Sequence, residues 1–175
     1  MPLRSVTAGI VVRRGRPADA EALARLRYEF RAALDPARER PLAFVERCAT
    51  WMRQQLESEC PWYCWIAEHA DETVGTIWLA LIEKLPNPVA ERERHAYITN
   101  LYVRPAHRGG GAGTLLLRQA LTECDARGVD AVLLWPTPRS RSLYQRLGFA
   151  PPTDLLERRL SPSPPHGVTP APEPA

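Results

Sequence analysis

The sequence has no long apolar segment and almost no lysine. Its longest apolar stretch, Ile77–Ile82, is far shorter than the about 20 residues that a helix needs to span a bilayer. The first residues show no signal-peptide pattern, so neither a membrane nor a secretory role is expected. Lys84 is the single lysine, and the 23 basic residues are scattered among 20 acidic ones. A concentrated basic face, which nucleic-acid binding needs, is therefore not predicted.

The four cysteines do not follow a metal-binding pattern. Cys60 and Cys64 are four residues apart, and no second Cys or His pair follows them, while Cys48 and Cys124 stand alone. Without a secretion signal, all four are expected to be reduced thiols in a cytoplasmic protein, and no metal is expected. The use of arginine and alanine in place of lysine is typical of a GC-rich bacterial genome.

The length of 175 residues suits one domain, which we predict to span residues 1–160. The last 15 residues, 161–175, contain six of the 18 prolines of the chain. Proline lacks a backbone N–H and stops helices and central strands, so this segment is predicted to be a disordered tail.

Helical and strand periods alternate in the remainder, which predicts a mixed α/β (α+β) fold. Helices are predicted over Asp19–Leu34, Leu42–Leu56, 113–127 and Ser140–Leu147. Strands are predicted over Gly9–Arg14, Trp62–Glu68, Val74–Glu83, Arg94–Val103 and Val129–Trp135, with a last strand pair within Phe149–Leu160. Val129–Trp135 is apolar throughout and is predicted to be buried on both faces.

The strongest local signal is RGGGAGT at 108–114, which joins a strand to a helix. Glycine lets the backbone approach a ligand closely, and the first turn of a helix presents unpaired N–H groups with partial positive charge. The segment therefore predicts a site for phosphate or pyrophosphate. A P-loop is excluded because no lysine follows, and the dinucleotide pattern fails because Thr114 and Leu116 occupy its last glycine position in the two possible frames.

Three further sequence features accompany this loop. Arg108, Gly111 and Gly113 satisfy the pattern Arg-x-x-Gly-x-Gly, the strand ITNLYV leads directly into it, and SLYQRLGF follows at 142–149. Together these features resemble the GCN5-related N-acetyltransferase (GNAT) superfamily over about residues 10–160. The resemblance implies a central, mostly antiparallel twisted sheet of six to seven strands, splayed between the fourth and fifth strands and flanked by about four helices.

The resemblance also implies an activity, namely acetyl transfer from acetyl-CoA, as cosubstrate, to a primary amine by direct attack in a ternary complex. The alternatives are a non-catalytic acyl-CoA-binding module and a scaffold of the same fold. The expected acceptor is a small-molecule or peptide amine, bound by the first two helices and the 84–93 loop. Trp51, Trp62, Trp65 and Trp78 either line that cleft or pack in the core. A homodimer is expected because it is common among such proteins.

The residues implied to bind acetyl-CoA lie on the strand before the loop and in the loop itself. They are Leu101, Tyr102 and Val103, followed by Arg108, Gly109, Gly110, Gly111, Ala112, Gly113 and Thr114. Leu101 is expected near the thioester carbonyl, and Val103 is expected to pair with pantetheine through its backbone. Thr137 stands where many relatives have Asn before the tyrosine-containing helix.

Tyr144 matches the tyrosine of the family and is the expected general acid. Many relatives have a Glu base in the fourth strand, whereas this chain has Thr99 followed by Asn100, and Thr cannot act as a base. Glu83 and His95 are the leading candidates for the base because they lie on or beside the inner strands. Glu29, Glu68, Glu91 and Glu93 are the other candidates.

Overall fold

A computed structural model describes residues 5–7, 9–34, 39–58, 61–153 and 155–158. The chain divides into two compact units, Met1–Leu134 and Trp135–Ala175, which are described one at a time. The tail predicted over 161–175 lies outside the described residues.

The first unit is built on one mixed sheet whose strands follow chain order. The strands are β1 (Ser5–Thr7), β2 (Ile10–Arg14), β3 (Trp62–His69), β4 (Glu72–Glu83), β5 (Arg94–Val103) and β6 (Ala131–Leu133). Neighbouring strands pair antiparallel, except β5 and β6, which pair parallel. The predicted mixed α/β fold and the mostly antiparallel sheet are confirmed.

Three helices flank this sheet, namely α1 (Ala20–Ala32), α2 (Pro41–Glu57) and α3 (Ala112–Ala126). Helices α1 and α2 form one apolar core cluster with Trp78 of β4. Gly75, three residues earlier on β4, points to the opposite face, where a Cβ would lie 3.4 Å from Leu116 of α3. The helices therefore cover both faces of the sheet. None of the helices in the described part of the chain is long and apolar enough to cross a membrane.

The predicted helix ends agree with the local chemistry. Pro41 occupies the first turn of α2, where its missing N–H has no consequence. Gly128 follows α3 with φ of +65°, and the Val129 N–H donates to the Cys124 carbonyl at 3.0 Å, which closes the last turn. These end residues fix α3, the helix that follows the glycine-rich loop.

Two strand predictions are wrong. The strand expected over Val129–Trp135 is only three residues long, because its pairing with β5 stops at Leu133. Its three residues are half-buried, whereas burial on both faces was expected. The strand pair expected within Phe149–Leu160 is not formed in residues 149–153 and 155–158. Pro151 and Pro152 lack the N–H groups that a paired strand donates.

The second unit contains one helix among its described residues, α4 (Arg141–Arg146), close to the predicted Ser140–Leu147. A turn precedes it, in which the Ser140 hydroxyl and the Thr137 hydroxyl lie 2.9 Å apart. The Ser140 hydroxyl also accepts the Thr137 N–H at 3.0 Å. These bonds fix the start of the helix that carries Tyr144.

Candidate active site

Strand β5 has a neighbour on both sides over only part of its length. Its parallel ladder with β6 runs from His95 opposite Ala131 to Tyr97 opposite Leu133 and then ends. From Ile98 to Val103 the only strand that pairs with β5, among the described residues, is β4. The splay was predicted between the fourth and fifth of the strands expected from the sequence, which are β5 and β6 here. The pairing of these two strands ends at Tyr97, and this leaves an open strand edge before the glycine-rich loop.

A β-bulge lies within this open half of β5. Tyr102 pairs with Thr76, but the next pair along the ladder is Thr99 with Trp78, so β5 has one extra residue there. Asn100 adopts a positive φ of +55°. Bulges bend the strand and increase its local twist. The bulge thus bends the open half of β5, and it places Leu101 beside the bend.

The glycine-rich loop has the backbone geometry of an anion site. Gly109 and Gly111 have φ of +83° and +86°, a region that side chains disfavour, and Gly111 is the N-cap of α3. The first helical bond is from the Leu115 N–H to the Gly111 carbonyl at 3.0 Å, so the N–H groups of residues 111–114 precede the ladder. A Cβ at Gly109 or Gly110 would meet no other atom within 4 Å.

The loop is fixed to the end of β5 and, through it, to α1. The Arg108 Nε donates to the Val103 carbonyl at 2.7 Å, and its guanidinium lies 5.6 Å from the centre of the Tyr102 ring. Arg104 donates to both carboxylate oxygens of Glu29, at 3.0 and 2.8 Å. Burial, and then the Glu29 charge, raise the pKa of Tyr102. The two elements that form the candidate site are therefore held in a fixed relation.

Tyr144, the expected acid, lies in the second unit. It is buried in α4, and its ring packs edge-on against Phe149 with ring centres 5.6 Å apart. Thr137, the expected substitute for Asn, is engaged with Ser140. These contacts of Tyr144 and Thr137 are all with residues of the second unit.

The two leading base candidates lie toward the start of β5. Glu83 is 81 % exposed, lies 3.9 Å from Arg94 and lines a polar cavity of about 380 Å³ at the base of the 84–93 loop. Leu101 is seven residues beyond Arg94, about 23 Å along a strand. The His95 Nε2 lies 3.6 Å from the Asp130 carboxylate. His95 has the same orientation on the strand as Thr99, because side chains alternate.

The other candidate carboxylates are engaged in contacts. Glu29, Glu68 and Glu91 form ion pairs with Arg104, Arg13 and Lys84, respectively. Hydrogen bonds from Asn87 and Lys84 lower the pKa of Glu91. Glu93 accepts the backbone N–H of Asn87 at 3.1 Å. Ion pairing favours the charged form of a carboxylate and so weakens it as a base.

The tryptophans and cysteines are mostly structural. Trp65 and Trp78 are buried, whereas Trp51 is 43 % exposed and contacts Trp62 and Trp78 at ring-centre distances of 5.7 and 6.0 Å. Burial raises the pKa of Cys64 to about 12, which makes it unreactive. In the described part of the chain, no group of three or more His, Cys, Asp or Glu side chains could bind a metal ion.

One contact was not predicted from the sequence. The Arg27 Nη1 of α1 donates to the Asn100 side-chain carbonyl at the bulge, at 3.2 Å. The sequence did contain a signal that Arg27 has no ion-pair partner on its own helix. Side chains three and four residues apart on a helix are neighbours, and these positions around Arg27 hold no acid. They are Leu23, Ala24, Phe30 and Arg31.

Comparison with known proteins shows the family of the chain. The family model described as the Acetyltransferase (GNAT) family matches residues 27–149, which include the open strand, the loop and α4. The chain belongs to the GNAT acetyltransferase family. No curated protein sequence matches the chain.

Solved structures give the same result. A GCN5-related N-acetyltransferase from Ralstonia eutropha JMP134 is 28% identical, with a TM-score of 0.67, and the match covers 87% of this chain and 100% of that one. A predicted acetyltransferase from Clostridium acetobutylicum, solved with acetyl-CoA, is 25% identical with a TM-score of 0.70, covering 86% and 96%. An integron cassette protein from the Cole Harbour Salt Marsh metagenome is 26% identical with a TM-score of 0.64, covering 89% and 93%.

Proposed function

We propose that the protein is an N-acetyltransferase that transfers the acetyl group of acetyl-CoA to a primary amine by direct attack in a ternary complex. The observation that carries this proposal is the open edge of β5 at Ile98–Val103, which leads into a positive-φ glycine loop at the start of α3. Family membership supports the transferase activity. The Clostridium acetobutylicum structure supports the choice of acetyl-CoA.

The open edge and the loop have complementary roles toward the cosubstrate. Acetyl-CoA supplies an activated thioester. The loop residues Arg108, Gly109, Gly110, Gly111, Ala112, Gly113 and Thr114 bind its pyrophosphate through backbone N–H groups and the partial charge of α3. Backbone groups of Leu101, Tyr102 and Val103 bind the amides of pantetheine, as a neighbouring strand would. Thr137 provides a further polar contact.

The chemical step needs one proton removed and one donated. The amine nitrogen attacks the carbonyl carbon, the carbon–sulfur bond breaks, and Tyr144 gives its proton to the departing thiolate. His95, which contacts Asp130, is the better base candidate, because Glu83 is exposed and faces Arg94. His95 is six residues, about 20 Å, from Leu101 along β5, so it accepts the proton of the amine through a chain of waters. Turnover of the variants His95→Gln and Glu83→Gln tests which of the two residues acts as the base.

The acceptor is a small-molecule or peptide amine that approaches from the α1 and α2 side. This side of the sheet carries Thr99 of β5 and the partly exposed Trp51 of α2 and Trp62 of β3. We further propose a cytoplasmic homodimer, because dimers are common among proteins of this kind. Light scattering at working concentration tests the dimer, and a monomer would contradict it.

Thiol release from acetyl-CoA across a panel of amines tests the function. We expect turnover with at least one amine and stabilisation of the protein by acetyl-CoA alone. Stabilisation without turnover on any amine would indicate a non-catalytic acyl-CoA-binding module. No stabilisation and no turnover would leave only a scaffold.

A further inference from the structure

Among the described residues, Arg27 is a half-buried cation without an acidic partner. Its guanidinium donates to the Asn100 side-chain carbonyl at 3.2 Å and lies over the face of Phe30, 5.9 Å from the ring centre. No carboxylate of the described residues forms an ion pair with it. Burial, and then the charge of Arg31 one turn later, lower the pKa of Arg27. Arg27 therefore faces the sheet as an uncompensated positive charge.

Two other half-buried arginines are compensated by carboxylates, whereas Arg108, which contacts the Val103 carbonyl, has no ion pair among the described residues. Arg13 contacts Asp19 and Glu68 at 2.8 and 2.7 Å, and Arg104 contacts Glu29 at 2.8 Å. A charge withdrawn from water normally acquires such a partner, because its desolvation is costly. The contrast indicates that the partner of Arg27 is supplied by a ligand.

The position of Arg27 relates it to the reacting centre. Its contact, Asn100, is the bulge residue next to Leu101, and therefore lies at the open half of β5. The Asn100 Nδ2 and the Trp78 Nε1 are buried donors without an acceptor in the described part of the chain. Trp78 is paired with Thr99, one residue from Asn100. Beside Arg27, two side chains of this region thus have buried donors that no described residue satisfies.

The apolar surroundings narrow the class of ligand. Trp78 contacts Trp51 and Trp62, and both of these are partly exposed beside the buried donors. An aromatic surface next to an unpaired arginine suits a molecule with an apolar body and a carboxylate. A polycationic amine does not suit it, because Arg27 and Arg31 would repel it.

We propose that the acceptor is a small amine that also carries a carboxylate, such as an amino acid with an apolar side chain, and that Arg27 binds the carboxylate. This inference rests on the proposed function and specifies its acceptor. The amine is then presented toward Leu101, and Trp51 and Trp62, which pack on the buried Trp78, contact the apolar body.

Matched amines test the role of the carboxylate. Thiol release is measured for L-tryptophan, L-tryptophanamide and tryptamine, and for the corresponding leucine series, with 5-aminopentanoate to separate α- from ω-amino acids. We expect kcat/KM to be about 10- to 100-fold higher for a carboxylate than for its amide, as for a hydrogen bond to a charged group. Higher kcat/KM for the amide or the decarboxylated amine would overturn the proposal.

Variants of Arg27 separate binding from structure. Arg27→Gln should lower kcat/KM for L-tryptophan by more than for tryptamine and so remove the preference for the carboxylate, and Arg27→Lys should restore part of it. Arg25→Gln is the matched control, since Arg25 lies on the same helix, is exposed and pairs with Glu21. An equal loss on all three tryptophan-series amines in Arg27→Gln would overturn the proposal, because it would indicate a structural role at the bulge.

A binding measurement separates this proposal from the proposed function. The thermal stability shift caused by L-tryptophan or L-leucine is recorded with CoA present, in the wild type and in Arg27→Gln. A shift that needs Arg27 without turnover on any amine would support the carboxylate site and contradict the enzyme activity. Turnover without a carboxylate preference would support the enzyme and overturn the site. Absence of both binding and turnover would overturn both.

Discussion

The two halves of β5 belong to one strand and yet have different neighbours. From His95 to Tyr97 the strand is paired with both β4 and β6, whereas from Ile98 to Val103 its only partner strand in the described part of the chain is β4. The first half satisfies its backbone groups within the sheet. The second half has an open edge, and its bulge at Asn100 brings in a polar side chain where an ordinary strand would continue.

This difference shows how one strand serves both stability and binding. An unpaired strand edge is a site for adding an extended ligand, and it is a liability unless something covers it. Here the open edge leads into the loop at 108–114, so one cosubstrate can contact the edge and the loop together. The closed half holds the sheet together on both sides of the strand. The following predictions test this division.

The largest effect is expected from Tyr144→Phe. The thiolate that leaves has a conjugate acid with a pKa of about 8.5, and a phenol of pKa about 10 can donate a proton to it at little cost. General acids contribute about 10²- to 10⁴-fold, so turnover should fall by that factor. Affinity for acetyl-CoA should change little, because the charge develops in the transition state.

The matched control is Tyr63→Phe. Tyr63 lies on β3, between the guanidinium groups of Arg14 and Arg127 at 4.3 and 4.4 Å, and its ring would remain there. We expect its turnover to equal that of the wild type. Normal turnover in Tyr144→Phe would show that the thiolate leaves by another route. A lost affinity with normal turnover at saturation would make Tyr144 a binding residue.

The second effect is loss of cosubstrate binding in Gly111→Asp. Acetyl-CoA at 100 times its dissociation constant should stabilise the wild type by about 2.7 kcal/mol. The variant should lose this stabilisation, because a carboxylate would enter the pyrophosphate site and repel it. Thermal unfolding with and without acetyl-CoA measures the change.

Backbone strain needs its own control, since Gly111 has φ of +86°. Gly128 follows the other end of α3 with φ of +65°, and a Cβ there would meet no other atom within 4 Å. Gly128→Asp should therefore be strained in a similar way and yet retain the stabilisation by acetyl-CoA. A folded Gly111→Asp protein that keeps its stabilisation would show that the loop assignment is wrong.

Much of the fold could be predicted because local signals agreed with the tertiary structure. Periodic apolar residues, Pro41 and Gly128 gave helix positions within a few residues. The length of β6 could not be predicted, because Val129–Trp135 is apolar throughout and only its divergence from β5 ends the pairing. The prediction of a strand pair within Phe149–Leu160 was wrong because it relied on the apolar pattern and gave too little weight to Pro151 and Pro152, which disfavour paired strands.

The loop of the candidate site could be predicted from the sequence, whereas the contact between Arg27 and Asn100 could not, and the reason is physical. The loop at 108–114 is contiguous in sequence, so its glycines could be recognised together. Arg27 and Asn100 are 73 residues apart, and only folding brings them within hydrogen-bond distance. The positive φ of Asn100 and its bulge depend on strand register, which the sequence of a single strand does not specify.

Amide hydrogen exchange compares the two halves of β5 directly. Adding acetyl-CoA should slow exchange in peptides that cover 98–103 and in the loop at 108–114, because the open edge gains hydrogen-bond partners. Exchange over 94–97 should change less, since those residues already pair on both sides. Local slowing should not exceed about 100-fold when the ligand is at 100 times its dissociation constant. Equal slowing in both halves would contradict a local role for the open edge.

The smallest effect is expected from deleting residues 161–175. Six of these residues are proline, which lacks the N–H group that strand pairing needs, so the tail is a poor candidate to extend the sheet at the open edge. The affinity for acetyl-CoA and the free energy of unfolding should both stay within about 0.5 kcal/mol of the full chain. Tighter binding after deletion would show that the tail competes for the open edge. A stability loss of more than about 1 kcal/mol, large beside a typical total of 5–15 kcal/mol, would show that the tail packs on the fold.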